Sequence, residues 1–363
     1  GRRPGGPFGT LRPVFSRGRV SLAVCTTLLT AACAPPHGEP IDFDYLFGEP
    51  GLNPGQLAMP RAIELVETEE GEIDVLVVDR SGRIQRLDPN TGDAWASFPL
   101  PEVAIGKPVG LGIGPHPFDA DRLCLWVADT HYHRVLVYDL PPRSLGRVEE
   151  YEPVLSFGSY GKGDGEFVYT TDVAVLTDDA GRVSRVFVGE YGGNDRISIF
   201  EPDAQRGEMV FAGSFGRFGT AKPGYAAASP NPDASDGSQI ASPPAFDGEV
   251  VFNRPQSVMI DARGERLLVA DACNHRIGLF SFDGELLGWV GGPDSISDEP
   301  GHVVYPYGVW PVEGGRFLVA EYGNSRVQML NAAGEGLGAW GRAGRYPGEV
   351  LTPWSVAVAG RTA

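Results

Sequence analysis

Cysteine and histidine are scarce in this chain of 363 residues, with 4 of the first and 6 of the second. So few cysteines exclude a disulfide-dense framework, and a chain of this length buries enough apolar surface to fold without one. A zinc site needs three or four converging ligands. The histidines are scattered, and we expect them to be surface or turn residues: His37, His116, His131, His133, His275 and His302.

Long apolar runs and basic charge are also lacking. The longest uncharged apolar stretch covers residues 20–32, which is too short to span a bilayer but suits the core of a signal peptide. The 47 acidic residues outnumber the 30 basic ones for a net charge of −17, and five of the arginines fall before residue 20. A body this acidic repels phosphate backbones, so no nucleic-acid partner is expected.

Sequence motifs of the common catalytic and cofactor sites are missing. The chain has no P-loop, no G-x-S-x-G, no H-E-x-x-H, no C-x-x-C and no haem-attachment sequence. The acid-bearing loops at 119–122 and 230–237 do not match the spacing of an EF-hand calcium loop. No cofactor is therefore predicted, although a bound Ca²⁺ or Zn²⁺ ion stays open.

A short unit recurs five times along the chain. An apolar run closes on an acid, a polar turn follows, and an arginine opens a second apolar run. The copies are VVDRSGRIQRL (77–87), VADTHYHRVLVY (127–138), VGEYGGNDRISIF (188–200), VADACNHRIGLF (269–280) and VAEYGNSRVQML (319–330). Repetition of a fixed unit indicates a solenoid, a propeller or an array.

Two further elements recur in a constant order around this unit. A connector headed by an aromatic and a glycine appears at 47–60, 157–167 and 340–353, and a short apolar strand follows each connector, often led by proline. Each complete unit therefore consists of four predicted strands. Consecutive four-stranded antiparallel sheets with regular glycine and aromatic punctuation predict an all-β protein with the β-propeller fold.

The combined pattern resembles the NHL repeat: VAD-x-x-N-x-R-I, an aromatic–glycine connector, then a proline-led strand. The resemblance covers about residues 43–360 and implies a propeller that is most often six-bladed. Five complete units start near Pro60, Pro108, Thr170, Pro255 and Pro306. A sixth starts at Pro353 and is incomplete, and residues 41–48 could supply its outer strand.

The start of the chain resembles a bacterial lipoprotein. A basic flank, a short apolar core and small residues precede Cys33, as in a lipobox. We expect 1–32 to be a signal peptide, 33–42 a lipidated cysteine and proline-rich tether, and 43–363 the propeller with an insertion loop at 216–250. The resemblance implies export and a lipid anchor in the cell envelope. An ordinary cleaved signal peptide that contains a cysteine is the alternative.

The repeated acid and arginine face each other across a hairpin in every unit. The pairs are Asp79/Arg83, Asp129/Arg134, Glu190/Arg196, Asp271/Arg276 and Glu321/Arg326. An active site is usually unique, whereas repeat consensus positions stabilise the repeat. We therefore interpret these pairs as structural and assign them no catalytic role.

A candidate site lies where the proline-led inner strands begin, since those positions surround the mouth of a propeller channel. They differ between the units: Arg61, Val109, Thr171, Gln256, Tyr307 and Trp354. A cation, an amide and two aromatics around one opening suit a small polar ligand or a peptide. A channel that is filled with water or plugged is the alternative. No convergent set of acids, Asn or His is evident for the channel itself.

Two functions follow as hypotheses. The first is a monomeric, lipid-anchored envelope module that binds a protein, peptide or glycan without catalysis. The second is an envelope enzyme of propeller type, a lyase or lactonase, which would be metal-dependent if a bound ion proves present. The absence of histidine from the mouth positions argues against the chemistry of peptidylglycine amidating lyase, an enzyme similar to NHL propellers.

Overall fold

The structure of the protein, a computed structural model, describes residues 46–68, 70–222 and 249–359, together with the backbone of 21–26. It is an all-β propeller of four-stranded antiparallel blades, so the predicted fold class is confirmed. Five blades are complete. No helix in these residues is long and apolar enough to cross a membrane.

The strands follow one another in the order that the repeats predict. The chain forms β1 (Ser21–Thr26), β2 (Pro60–Glu67), β3 (Ile73–Asp79), β4 (Arg83–Leu87), β5 (Ala94–Pro99), β6 (Gly110–His116), β7 (Asp119–Asp129), β8 (Arg134–Asp139), β9 (Gly146–Arg147), β10 (Leu155–Phe157), β11 (Ser159–Tyr160), β12 (Glu166–Phe167), β13 (Tyr169–Thr177), β14 (Val183–Tyr191), β15 (Arg196–Asp203) and β16 (Glu208–Phe215). It continues with β17 (Arg217–Phe218), β18 (Val251–Phe252), β19 (Pro255–Asp261), β20 (Arg266–Asp271), β21 (Arg276–Phe280), β22 (Leu286–Gly291), β23 (Pro306–Val312), β24 (Arg316–Glu321), β25 (Arg326–Asn331), β26 (Gly336–Trp340) and β27 (Pro353–Ala359).

Each blade pairs its strands in sequence order from the channel outward. The blades are β2–β5, extended by β9; β6, β7, β8 and β10; β13–β16; β19–β22; and β23–β26. The short pairs β11/β12 and β17/β18 are parallel and close two of the connectors. Short 3₁₀ turns at Thr130–Tyr132 and Ala272–Asn274 follow the acids of the second and fourth blades.

The sixth blade position holds a two-stranded sheet. Its inner strand β27 pairs antiparallel with β1, in a register that places Leu22 opposite Val358. The outer strand that the sequence suggested for this blade falls partly at 41–45, outside the described residues. Leu46–Pro50 contains no strand, and Pro50 forms only an isolated bridge with Leu57.

Large apolar side chains fill the spaces between blades. Trp126, Phe187, Phe252, Phe280 and Phe317 are all fully buried. Phe280 also meets the partly buried Trp289 ring edge-on, with centroids 5.5 Å apart at 88°. Burial of this many aromatic rings supplies a large part of the hydrophobic stabilisation of the fold.

The repeated acid and arginine form a buried ion pair that also holds the connector. In the fourth blade, Arg276 Nε donates to Asp271 Oδ2 at 2.9 Å, and Arg276 Nη2 donates to the Val251 carbonyl at 2.7 Å. Asp271 Oδ1 accepts the backbone N–H of Asn253 at 2.7 Å. The guanidinium carbon lies 3.4 Å from the centroid of the Trp289 ring. We call this arrangement the acid–Arg clamp.

The same ion pair is present in the other four complete blades. The distances are 2.8 Å for Asp79–Arg83, 2.9 Å for Asp129–Arg134, 2.6 Å for Glu190–Arg196 and 2.7 Å for Glu321–Arg326. In three of these blades the arginine also donates to connector carbonyls, for example Arg326 Nη2 to His302 O at 3.0 Å. In the second blade, Arg134 instead pairs with Glu102 of the connector at 2.9 Å.

Removing the cation of one clamp should destabilise the protein. We expect Arg276→Ala to lower the free energy of unfolding by about 3 kcal/mol, because the buried Asp271 carboxylate loses its partner. Arg263→Ala is the matched control: that side chain is 73% exposed and pairs with Glu313, so its loss should cost less than about 1 kcal/mol. Urea unfolding of the three proteins measures both values. Equal effects of the two substitutions would contradict the structural role of the clamp.

Candidate functional site

The inner strands of all six blade positions line one central cavity. Its walls come from the first residues of β2, β19, β23 and β27, with Val109, Leu111 and Asp172 from the second and third blades. Small residues let the strands approach closely: a side chain at Gly110 would collide with the Thr171 carbonyl, and one at Gly308 with the backbone of Ser355. The channel is therefore narrow.

A β-bulge at the start of the inner strands aims selected residues at the channel mouth. In β2, Pro60 pairs with Asp79 and Ala62 with Val78, which leaves Arg61 as the extra residue. The same shift occurs in three other blades. There the extra residues are Thr171, Gln256 and Tyr307. Bulges re-aim a side chain out of the regular alternation of the strand.

One side of the mouth is built from stacked aromatic rings. The Arg61 guanidinium carbon lies 3.9 Å from the centroid of the Trp354 ring. Trp354 meets Tyr307 edge-on with centroids 4.9 Å apart, and Tyr307 stacks on Tyr322 at 4.5 Å. All four side chains are buried. Contacts of this geometry fix the orientation of each ring.

The other side of the mouth is also built from contacts between an arginine and aromatic rings. The Arg254 guanidinium carbon lies 5.8 Å from the centroid of Tyr307 and 4.8 Å from that of Tyr191. Tyr191 neighbours Tyr169 at 5.1 Å, and Tyr169 neighbours His131 at 5.3 Å.

His131 ends the second side, near enough to Arg61 of the first side for the charge of Arg61 to act on it. Burial lowers the pKa of His131, and the positive charge of Arg61 lowers it further. Residues from all six blade positions take part, and we call them the mouth ring: Arg61, His131, Tyr169, Tyr191, Arg254, Tyr307, Tyr322 and Trp354. Two arginines at one opening create a local positive field within a chain of net charge −17.

The backbone at the mouth is strained. The residue before the leading proline has positive φ at four inner strands: Met59 (54°), Arg254 (61°), Tyr305 (47°) and Thr352 (47°). Left-handed backbone is uncommon for residues other than glycine and costs about 1 kcal/mol or more. Arg254 is held in it by a hydrogen bond of 2.6 Å from its backbone N–H to Asp195 Oδ2.

Below the ring, the channel contains two buried carboxyl groups. Asp172 is 7% exposed, and its Oδ1 and Oδ2 accept the backbone N–H groups of Val173 and Val258, each at 3.0 Å. Burial raises the pKa of Asp172 to about 7, although these hydrogen bonds and one from Ser257 oppose the rise.

Glu64 is the second of these groups and is 6% exposed. Burial raises its pKa well above the usual value, and the negative charge of Asp172 raises it further, while a hydrogen bond from the Leu65 backbone opposes the rise. Of the two, Asp172 has more donors to stabilise its ionised form. The pair therefore holds a proton on Glu64 more readily than on Asp172.

The predicted mouth positions mostly reach the cavity. Arg61, Val109, Gln256, Tyr307 and Trp354 line it. Thr171 does not, because its hydroxyl turns aside and donates to the Pro255 carbonyl at 2.6 Å.

Sequence reasoning missed the two acids and most of the ring. Glu64 and Asp172 correct the expectation that the channel has no convergent acids, since both line the same cavity. Their spacing in the chain gave no signal. For the ring tyrosines the sequence holds a weak signal. Tyr191 and Tyr322 each follow the acid of their repeat, a position that differs between units.

The flanks of the insertion contact the fourth blade, at the end of β20 where the mouth lies. Asn274 Nδ2 donates to the Gly219 carbonyl at 3.2 Å, and the Ala221 backbone N–H donates to Asn274 Oδ1 at 3.0 Å. Residues 223–248 lie outside the described part of the chain. Cys33 and His37 lie outside it as well.

His275 and His133 contact connector backbones. Tyr305 donates its backbone N–H to His275 Nδ1 at 3.1 Å, and His133 contacts the Val168 carbonyl. Where the structure describes the chain, no three His, Cys, Asp or Glu side chains are grouped to hold a metal ion. Cys124 and Cys273 are buried free thiols.

The Glu64 carboxyl makes stability depend on pH. Because its pKa is raised, the folded protein keeps this proton to a higher pH than the unfolded chain. Its contribution to stability is full below the unfolded pKa of about 4.3 and is lost as the pH rises through the folded pKa. We expect Glu64→Gln to melt at a higher temperature than the parent at about pH 8, with a smaller difference at about pH 5. Exposed Glu208→Gln should show no such trend, and a difference independent of pH would contradict this assignment.

Comparison with known proteins gives structural neighbours only. No protein-family model matches the chain, and no curated protein matches it. Among solved structures it is similar to a protein of unknown function from Bacteroides caccae, with a TM-score of 0.46 and 10% identity over 81% of this chain and 85% of that one. It is also similar to virginiamycin B lyase from Staphylococcus aureus, with a TM-score of 0.38 and 13% identity over 76% and 68%. A catalytically inactive form of that lyase with quinupristin gives a TM-score of 0.42 and 14% identity over 77% and 69%.

Proposed function

We propose that this protein is an NHL-type propeller of the bacterial cell envelope, anchored by a lipid on Cys33, that binds a peptide, protein or glycan at its channel mouth. Binding, without catalysis, is the proposed activity. The observation that carries the proposal is the mouth ring, in which eight aromatic and cationic side chains from all six blade positions surround one opening.

The ring has the properties of a recognition surface. Aromatic rings offer large contact areas at low cost in conformational entropy, and their faces and edges suit both sugar and peptide ligands. Arg61, Gln256, Tyr307 and Trp354 are held by stacking and bulge geometry, so a ligand would meet a preorganised site. Tyr169, Tyr191 and His131 are only half-buried and present accessible surface.

An enzyme remains the second candidate, and one specific observation favours it. Asp172 and Glu64 share a cavity, and the pKa of Asp172 lies near neutral pH, at about 7. A carboxyl pair of this kind can donate and accept a proton in one reaction cycle. A lyase or lactonase would lose turnover in both Glu64→Gln and Asp172→Asn while the ring still binds its ligand.

Anchoring through Cys33 is a proposal from the leader sequence, and it can be tested directly. We expect Cys33→Ser, expressed in a bacterial host, to stop incorporating labelled palmitate and to leave an unprocessed precursor. Cys25→Ser is the matched control and should label normally. Undiminished label in Cys33→Ser would contradict the proposal.

The mature N-terminus gives a second test of this proposal. Cleavage before Cys33 would remove Ser21–Thr26, which forms β1 beside β27 in the structure. Mass spectrometry of the mature protein distinguishes the two arrangements. Retention of residues 21–26 in the mature chain would exclude a lipidated N-terminal Cys33.

Tyr191 offers an accessible aromatic face at the mouth, so its removal tests ligand binding there. We expect Tyr191→Ala to weaken a ligand selected from peptide and glycan arrays by about tenfold or more, since the ring loses an accessible aromatic face. Phe118→Ala is the control, because Phe118 lies in the hairpin between β6 and β7, at the opposite end of the second blade. Titration calorimetry measures both affinities.

The insertion gives an independent arm of the same test. Deletion of 222–247 should weaken binding while the circular dichroism of the β-sheets persists. Full binding by both Tyr191→Ala and the deletion, or a ligand footprint in hydrogen exchange confined to the Phe118 end, would overturn the proposed function.

A further inference from the structure

The channel below the mouth ring contains two buried carboxyl groups without an ion-pair partner among the described residues. Glu64 and Asp172 both line the cavity and are more than nine-tenths buried. Neither carboxyl forms an ion pair with any residue that the structure describes. Buried carboxylates in proteins are normally paired with a cation or neutralised. Arg61 also lines this cavity, but its guanidinium lies on the Trp354 ring.

The position and orientation of Asp172 are fixed by the fold. Its two oxygens are held by backbone N–H groups from its own strand, β13, and from the neighbouring inner strand, β19. These donors favour the ionised form, since a protonated carboxyl offers them a weaker acceptor. The channel therefore presents a preorganised carboxylate with a second carboxyl group beside it.

A separate observation in the same cavity also indicates a missing partner. Trp354 and Tyr307 line the cavity and are 3% and 1% exposed. The indole N–H of Trp354 and the hydroxyl of Tyr307 have no hydrogen-bond partner among the described residues. The Tyr307 hydroxyl can accept as well as donate, so it can complete a site for a donor group that comes from outside the described chain.

The size of the cavity limits what can bind beside the carboxyls. The close approach of the inner strands at Gly110 and Gly308 leaves room for a group of about the size of a water molecule. A primary ammonium group is of this size and carries three N–H donors. A guanidinium or a quaternary ammonium group is larger than the space.

We propose that the channel binds the primary ammonium group of the ligand, which donates its N–H groups to Asp172, Glu64 and the Tyr307 hydroxyl. The inference rests on the proposed function, because it names the chemical class of the ligand held at the mouth. A primary amine supplies the three donors, and the rest of the ligand lies at the mouth. The terminal ammonium group of a peptide is one example.

The test compares two small probes, one with a charged primary amine and one in which that amine is acetylated and uncharged. Glycinamide carries a primary ammonium next to a carbonyl, and N-acetylglycinamide has the same backbone without the charge. We expect titration calorimetry at neutral pH to detect glycinamide binding to the full chain and to find binding of N-acetylglycinamide at least tenfold weaker. Asp172→Asn and Glu64→Gln should each weaken glycinamide at least tenfold, and Glu208→Gln should leave it unchanged.

Each alternative occupant gives a different result. Ammonium or potassium chloride that binds as tightly as glycinamide would indicate an inorganic cation and overturn the proposal. Equal binding of the two probes would also overturn it, as would full binding by both carboxyl variants. Asp172→Asn changes a hydrogen-bonded group, so the melting temperature of this variant is measured first. If Asp172→Asn does not fold, the result for Glu64→Gln alone tests the proposal.

This inference and the proposed function fail separately. A ligand from the arrays that needs Tyr191 but tolerates acetylation of its amine would leave the binding module intact and refute the ammonium site. A ligand whose affinity is unchanged by Tyr191→Ala and by deletion of 222–247 would refute the binding module, whether or not glycinamide binds.

Discussion

The acid–Arg clamp is the interaction on which the rest of the structure depends. Its acid accepts a backbone N–H from the connector two residues before the inner strand begins: Ala58 to Asp79 at 3.1 Å, and Val304 to Glu321 at 3.1 Å. Its arginine then donates to carbonyl groups of the same connector. One buried ion pair thus ties the hairpin of a blade to the segment that leads into that blade. Several hydrogen bonds on each partner offset the cost of burying the two charges.

Because the clamp fixes the connector, it also fixes the start of each inner strand. The connector arrives in left-handed backbone at Arg254 or Tyr305, a proline follows, and the bulged residue comes next. Strain of this kind persists only where the surroundings determine the backbone. The repeated clamp provides those surroundings. The bulge that follows it then directs one side chain of the inner strand at the opening. Gln256 and Tyr307 are therefore positioned by an acid and an arginine that recur in every complete blade.

The sequence was sufficient to predict what is local and repeated. A strand ending on Asp271, a turn and Arg276 opening the next strand lie within a few residues of each other, so their pairing follows from the hairpin alone. The sheets of the five blades followed from the same unit. The ring was only partly predictable, since the inner-strand positions such as Tyr307 were found from their place after proline. The positions of Arg254 and Tyr191 also vary between repeats, but the contact between these two side chains depends on how neighbouring blades pack.

The two channel acids could not be predicted, for a different physical reason. In the sequence Glu64 is a charged residue within an otherwise apolar stretch, and Asp172 precedes an apolar run. Either one alone would be assigned to a solvated strand edge. Only closure of the propeller turns both strands inward and removes the water that would otherwise screen the pair. Predicting this site requires the packing of the blades, because the two interacting carboxyl groups lie on strands two blades apart.

The channel combines basic and acidic side chains along its length. All of them occupy positions that vary between the repeats, whereas the repeated positions stabilise the blades. The mouth ring carries Arg61 and Arg254, whereas Asp172 and Glu64 lie further in. Burial of Asp172 and Glu64 disfavours folding once both are ionised, as their raised pKa values indicate. In a repeat protein, stability is approximately a sum over units and their interfaces. The acid–arginine pairs of the five complete blades therefore stabilise a scaffold that holds two acids whose ionisation opposes folding. Locally unfavourable groups in an otherwise consistent structure are characteristic of functional sites.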